Sequence, residues 1–340
     1  MKARRISKTL AALFAALALG SAARGDQPGT ARIAHWKDDS KAAFLLMFDD
    51  SWPSHWQVAV PALAARKMTA TFYINPGKGE YLKFKGKWEK EVWTNGVVLG
   101  VHTMTHQGVK DFANADYEIG ECARIVAATG SGKTPRLISW AMPGVGPGKW
   151  NISAEDLQTL LNKHHLIDRP TFNGHGVVYH LQKTEQMLAL ADKAIASGGM
   201  EYLIAHGVER GPDMNWGYQD FWAWKQEIFF AVLDGLAQRR DRGELWIADH
   251  ISYHQYVTER DTAKIATTQA DARRIVLSLT CAADPVFYDH PLTVVCTVPA
   301  GWRTCRVTQG RASSRVESKN GTVMFDALPG PTPIAISPSL

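Results

Sequence analysis

The chain has 340 residues, 45% of them hydrophobic and 21% charged, with a formal net charge of +5. That length and balance exclude wholesale disorder and a fibrous repeat, and they suffice for one large domain or two ordinary ones. The positive charge does not argue for nucleic acid or an anionic membrane surface: residues 1–25 hold five of the 38 Lys and Arg and no acid, so the remainder carries 33 of each sign.

In residues 1–25, Lys2, Arg4, Arg5 and Lys8 precede an apolar run at 10–19 and the small residues Gly20, Ser21, Ala22 and Ala23. A basic start, a short apolar stretch and a small-residue cleavage site read as a secretory signal peptide. The run is shorter than the roughly 20 residues that a spanning helix needs. The expectation is an exported protein, periplasmic or secreted, with no membrane span after cleavage and no nucleic-acid partner. Cys122, Cys281, Cys296 and Cys305 fit an oxidising compartment, and one bridge among the last three is expected, with the pair left open.

Residues 42–48 (AAFLLMF) read as a fully buried strand that stops at Asp49 and Asp50. Residues 53–67 have helical spacing, 68–75 (MTATFYIN) are rich in strand formers, and 96–101 read as another buried strand. A helix is expected over 113–128 and a strand over 136–141. Ser153 with Asp156 marks a capped start for a helix to His164. Residues 184–197 form a helix stopped by Gly198 and Gly199, followed by a strand at 201–205, a long amphipathic helix at 219–240, and a strand at 244–248 with a helix after it. This alternation argues for a parallel sheet or an α/β barrel. Beyond about residue 271 the pattern becomes short strand-like runs separated by Pro, Gly, Asn and Asp, a small all-β unit.

Residues 127–134 (AATGSGKT) mimic a phosphate-binding loop. A helix precedes them where a strand is needed, and Pro135 follows at once, so they read as a helix-to-strand loop.

The chemistry-bearing groups end three predicted strands: Asp49 and Asp50, then His102 and His106, then His206. Two imidazoles at H-x-x-x-H spacing with a carboxylate make a three-ligand set for a zinc-like ion, with a position left open for water. A second carboxylate beside the set serves as a base, and a separate histidine as an acid. The C-terminal ends of such strands are where α/β enzymes place their sites.

The segments MFDDSW, GVHTMTH and LIAHG resemble the signature segments of the polysaccharide deacetylases, the NodB-like carbohydrate esterase family 4, and MTATFYI and residues 244–260 are similar to that family's second strand and its closing strand and helix. The resemblance covers roughly residues 40–262. It implies an α/β fold, a distorted (β/α) barrel of the NodB type over 30–265, followed here by a small sandwich-like all-β domain over 272–340. It also implies a hydrolase of carbon–nitrogen bonds that deacetylates an N-acetylated glycan through a metal-activated water. On this chain Asp49 matches the base, Asp50, His102 and His106 the ligands of a divalent ion (zinc first, other divalent ions allowed), and His206 the acid. The family's Arg-x-Pro-x-Gly stretch, whose Arg holds the base, departs: aligning on Pro143 leaves Ala141 at the Arg position, and Arg136 lies five residues earlier.

Trp140, Pro143 and Gly144, with Trp216 and Tyr218 beyond His206, are candidate sugar contacts, while Phe221, Trp222 and Trp224 are expected to fill core. The remaining histidines, His55 and His250 among them, read as surface or structural. Two alternatives stay open: an O-acetyl esterase with the same site, and an inactive glycan-binding relative with the altered Ala141 segment. A Ser-His-Asp esterase is disfavoured because no G-x-S-x-G elbow is present. Nothing in the sequence indicates a protein partner.

Overall fold

A computed structural model describes residues 27–130, 132–170, 181–210 and 220–339; the leader expected at 1–25 lies outside them. Strand β1 (Ala31–Ile33) is followed by β2 (Ala42–Asp49), a wide helical turn at His55–Ala59 that runs into α1 (Val60–Ala65), and β3 (Thr71–Ile74). Next come α2 (Gly79–Lys83), α3 (Lys85–Lys90), β4 (Val98–Val101), α4 (Phe112–Ala128), β5 (Ile138–Trp140), α5 (Ala154–Lys163) and β6 (Leu166–Asp168). The α/β part closes with α6 (Thr184–Ser197), β7 (Met200–Ala205), α7 (Gln226–Asp241), β8 (Leu245–Ala248) and α8 (His250–Thr262). The Ser153–Asp156 capping box and the left-handed Gly198 stop both form as the sequence expects.

The seven parallel strands run β6-β5-β4-β3-β2-β7, with β8 also on β2. One edge of β2 pairs with β7 along its length; the other pairs first with β8, from Ala42 to Leu45, and then with β3, from Met47 to Asp49. The sheet therefore forks at β2 and curls into a half-barrel, and among the described residues β6 and β7 do not pair. All eight residues of β2 are buried, because both faces are covered. Phe44, Leu46 and Phe48 pack under the helices, while Ala43, Leu45 and Met47 enter a second core with Tyr256 of α8 and the C-terminal strands.

Those strands are β9 (Lys264–Ala270), β10 (Ile275–Thr280), β11 (Leu292–Thr297), β12 (Thr304–Gln309), β13 (Ala312–Glu317), β14 (Thr322–Ala327) and β15 (Ile334–Pro338). They form a five-stranded sheet, β13-β12-β15-β10-β9, facing a three-stranded sheet, β1-β11-β14. Inward residues such as Ile275, Leu277, Val294, Val307, Phe325 and Ile336 make the core between them. Strand β1, which the sequence groups with residues 30–265, lies in this sandwich, with Ala31 opposite Cys296 and Ile33 opposite Val294. Three residues are too few to carry a strand signal of their own.

Two expectations are corrected. The bridge among the C-terminal cysteines is not formed, and all four thiols are free. Cys296 and Cys305 are buried on strands of opposite sheets, and burial pushes the Cys296 thiol up to about 11. The helix expected from 219 starts instead at Gln226. Ahead of it the chain turns at Phe221 and Trp222 and is tied to the β7 exit: Gly207 N–H donates to Phe221 O (3.0 Å), Trp224 N–H to Gly207 O (3.0 Å) and Glu209 N–H to Trp224 O (2.7 Å). Among the described residues no helix is long and apolar enough to cross a membrane.

Where α8 meets the sandwich, Glu259 is buried and accepts the His290 N–H (3.0 Å), and burial raises its carboxyl to about 7. A raised carboxyl holds its proton longer in the folded chain than in the unfolded one. Stability should therefore fall as pH rises from about 4.5 to 7, by about 2 kcal/mol over that window. Glu259→Gln is expected to flatten that slope in denaturant titrations; an unchanged slope would assign it to other groups.

Candidate active site

Each candidate group stands at or just past the C-terminal end of a parallel strand: Asp49 and Asp50 on β2, His102 after β4, Arg169 after β6 and His206 after β7. They line one cleft of about 740 Å³ with His106, Met142, Pro143, Gly144, Asp168, Pro170, Phe221 and Trp222.

The backbone around them is held in costly conformations. Asp50, Ser51, Thr103 and His106 have φ of 81°, 57°, 65° and 59°, in the left-handed region that costs a non-glycine residue of order 1–3 kcal/mol. Local hydrogen bonds hold them there. Ser51 Oγ accepts the Asn75 N–H (2.7 Å), and Asn75 Nδ2 donates to the carbonyls of His102 and Thr103. The buried Glu118 of α4 accepts the Thr105 N–H and hydroxyl (both 2.9 Å), and Thr103 Oγ1 accepts the His106 N–H (3.1 Å).

Asp50, His102 and His106 present three donor atoms within 4.8 Å of one another. His106 Nε2 is 3.3 Å and His102 Nε2 3.8 Å from Asp50 Oδ1. The donor set fits a divalent ion on three counts. Asp50 Oδ1 is buried without a hydrogen-bond partner. His102 Nδ1 lies 2.7 Å from the Ala141 carbonyl, which takes the ring proton there and leaves the Nε2 lone pair facing Asp50. Burial pushes His102 down to about 4, so the ring is a neutral ligand at neutral pH. Burial also pushes the Asp50 carboxyl up, but His102, Lys78 (Nζ at 3.5 Å) and His106 outweigh it and hold the group below its ordinary value.

Asp49 has a different partner. Arg169 grips it with two parallel hydrogen bonds, Nη1 to Oδ1 at 2.6 Å and Nη2 to Oδ2 at 2.8 Å, and both residues are buried. Burial pushes the Asp49 carboxyl up; Arg169, with smaller help from His102 and His206, overrides it and holds the group well below the carboxylate range. The guanidinium thus supplies what Ala141 does not, from a different strand. The sequence reading missed it because β6 is only three residues long, although an Arg between Asp168 and Pro170 after the apolar pair Leu166-Ile167 was a signal. Arg136, the nearer arginine in sequence, instead donates to the Val126 and Thr129 carbonyls.

His206 Nε2 stands 3.9 Å from Asp50 Oδ2. Its backbone is fixed by His55, whose Nε2 meets the His206 carbonyl at 2.6 Å, and by Ser54 Oγ, which accepts the Val208 N–H at 2.9 Å. Asp220 closes this support by accepting the Ser54 N–H (2.9 Å) and pairing with Arg210.

Pro143 and Gly144 lie at the cleft as expected, and Trp140 does not. Alternation along β5 turns Trp140, fully buried, into the core beneath the helices, while Ser139 faces the other way. Trp216 and Tyr218 fall outside the described residues. Phe221 and Trp222, expected in the core, are each 51% exposed and form the rim beside His206, whereas Trp224 is buried as expected. A turn at Phe221 and Trp222, with Trp222 at a φ of 49°, followed by a bridge from Trp224 to Val208, replaces the helical periodicity on which the core expectation depended.

Residues 37–155 match the family model for polysaccharide deacetylases. Over that span the chain is similar to the polysaccharide deacetylases. The matched span contains Asp49, Asp50, His102 and His106, while Arg169 and His206 lie beyond it. A gellan lyase from a Bacillus species is 23% identical over 303 residues, which are 83% of this chain and 12% of that protein, so the chain spans only a small part of that relative. Among solved structures, a family 4 carbohydrate esterase from Streptomyces lividans in complex with acetate is 19% identical, covering 61% of this chain and 92% of that one at a TM-score of 0.41. A family 4 esterase from Streptococcus mutans is 18% identical, with 62% and 86% covered and a TM-score of 0.41. A family 4 pseudoenzyme from Bacillus anthracis is 13% identical, with 62% and 64% covered and a TM-score of 0.42.

Proposed function

We propose that this protein is an exported, metal-dependent hydrolase that removes acetyl groups from an N-acetylated glycan. The observation that carries the reading is the convergence on one cleft of a carboxylate gripped by arginine (Asp49), a three-donor set (Asp50, His102, His106) and a separately supported imidazole (His206). A divalent ion in that set, zinc being the first choice, would supply Lewis acidity toward the acetyl carbonyl and make water a stronger acid. Asp49, kept ionised by Arg169, accepts the proton of the attacking water, and His206 gives a proton to the departing amine. Phe221, Trp222, Met142 and Pro143 offer apolar faces on which a pyranose ring can stack, with Gly144 backbone beside them. The grip of Arg169 on Asp49 supports an active enzyme over a glycan-binding relative, since the loss at Ala141 was the main ground for inactivity.

The test is acetate release by zinc-loaded protein across N- and O-acetylated glycans, with release from N-acetyl substrates expected. Release confined to O-acetyl esters would convert the reading to an O-acetyl esterase. No release with metal bound would replace it with glycan binding. His102→Ala is expected to weaken zinc binding by at least about a hundredfold in calorimetry, more than an outer support would cost; unchanged affinity would remove His102 from the set.

A further inference from the structure

Arg169 does not float behind Asp49. Its guanidinium carbon lies 4.7 Å from the centroid of the fully buried Tyr73 ring, a cation–π contact in a site shielded from water. The Tyr73 hydroxyl is 2.7 Å from Ser139 Oγ, and Ser139 Oγ is 2.7 Å from His250 Nδ1 at the start of α8. The Tyr73 hydroxyl also reaches Met47 Sδ (3.4 Å), and the His250 N–H donates to Thr71 Oγ1 (3.0 Å). The ring has its own slot: a Cβ on Gly100, which pairs with Tyr73 across β3 and β4, would sit 2.6 Å from Tyr73 Cδ1. Tyr73, Ser139 and His250 all lie away from the cleft lining. Four buried polar residues, from β3, β5, the end of β6 and α8, thus form one connected chain behind Asp49, although none of them carries out a step in the proposed reaction.

We propose that Tyr73, Ser139 and His250 are positioning residues for the candidate base. The hydrogen-bonded chain and the Gly100 slot fix the Tyr73 ring, the ring seats the Arg169 guanidinium, and Arg169 sets the plane of the Asp49 carboxylate. The relay rests on the reading of Asp49 as base only for its effect on turnover; its effect on Arg169 is independent of any substrate.

The experiment uses Tyr73→Phe, which keeps the ring and removes the hydroxyl, and Ser139→Ala, which cuts the chain one residue further on. Each is expected to lower kcat about fivefold with KM within about twofold, and the double variant is expected to be no slower than the single ones. In an Arg169→Lys background, where a compact ammonium replaces the planar fork, neither substitution should slow turnover further. A merely structural role would lower thermal stability without this dependence on Arg169. Nitrogen and proton resonances of the Arg169 guanidinium give the second readout, and both variants should shift or broaden them whether or not acetate is released. Resonances unmoved in both variants overturn the relay, as do additive losses or losses that persist in the Arg169→Lys background. Shifted resonances in a protein that deacetylates nothing uphold the relay and overturn the deacetylase reading instead.

Discussion

Asp49→Asn is expected to keep its divalent ion and lose turnover by about 10²–10⁴-fold, the usual contribution of a positioned general base. The amide retains the shape of the carboxylate but cannot accept the proton of the attacking water. Metal content is expected to survive because Asp50, His102 and His106 form the donor set without Asp49. Metal analysis and acetate release on the same preparation separate the two effects. Turnover within tenfold of the parent would remove Asp49 from the role of base, and loss of metal would place it in the donor set. The substitution also leaves Arg169 buried without its anion, so circular dichroism has to establish a folded protein before the rates are compared.

Arg169→Met is the second large effect. Methionine has a similar reach and no charge, so Asp49 is left buried without its partner, and breaking a buried pair on one side costs about 3–5 kcal/mol. Turnover should fall with it, and Arg169→Lys should restore part of the stability and less of the rate, because an ammonium cannot form two parallel bonds. The pH dependence follows from the direction of the Asp49 shift. A carboxyl held below its unfolded value contributes stability that is present above that unfolded value, about 3.9, and lost as pH falls towards the folded one. In Arg169→Met, burial acts on Asp49 with only the smaller help of the histidines, so acid unfolding should begin at a higher pH than in the parent. Coincident acid transitions would show that the pair contributes nothing to the folded state.

Much of this was legible in the chain. The run at 42–48, the stop at Asp49 and Asp50, the capping box at Ser153 and the Gly198 terminus each depend on a few neighbouring residues, and they form as read. The candidate site was legible where a strand end and its chemistry are adjacent in sequence, as at Asp50, His102, His106 and His206. What was not legible depends on tertiary contact. Arg169 meets Asp49 across 120 positions, and His55 meets the His206 carbonyl across 151. Phe221 and Trp222 carry helical spacing, yet the hydrogen bonds between Gly207 and residues 221 and 224 hold them in a turn at the rim. Trp140 failed for a local reason: a three-residue strand alternates, and the parity that places Ser139 beneath the site turns Trp140 away from it.

The pairing of β1 with β11 gives the protein an unusual kind of indivisibility. The α/β half is, in effect, an insertion between the first strand of the sandwich and its other strands. Closing so long a loop adds little to the entropy cost, which grows only with the logarithm of its length, and the β1–β11 pairing alone carries it, since β9 to β15 are contiguous in sequence. A recombination event that exchanged residues 272–340 for another domain would strand β1 without its partner. It would also strip the cover from Ala43, Leu45 and Met47. Conversely, a transplanted C-terminal unit would arrive with the edge of β11 bare, an invitation to pair with other chains. The first strand and the shared core tie the two halves to each other.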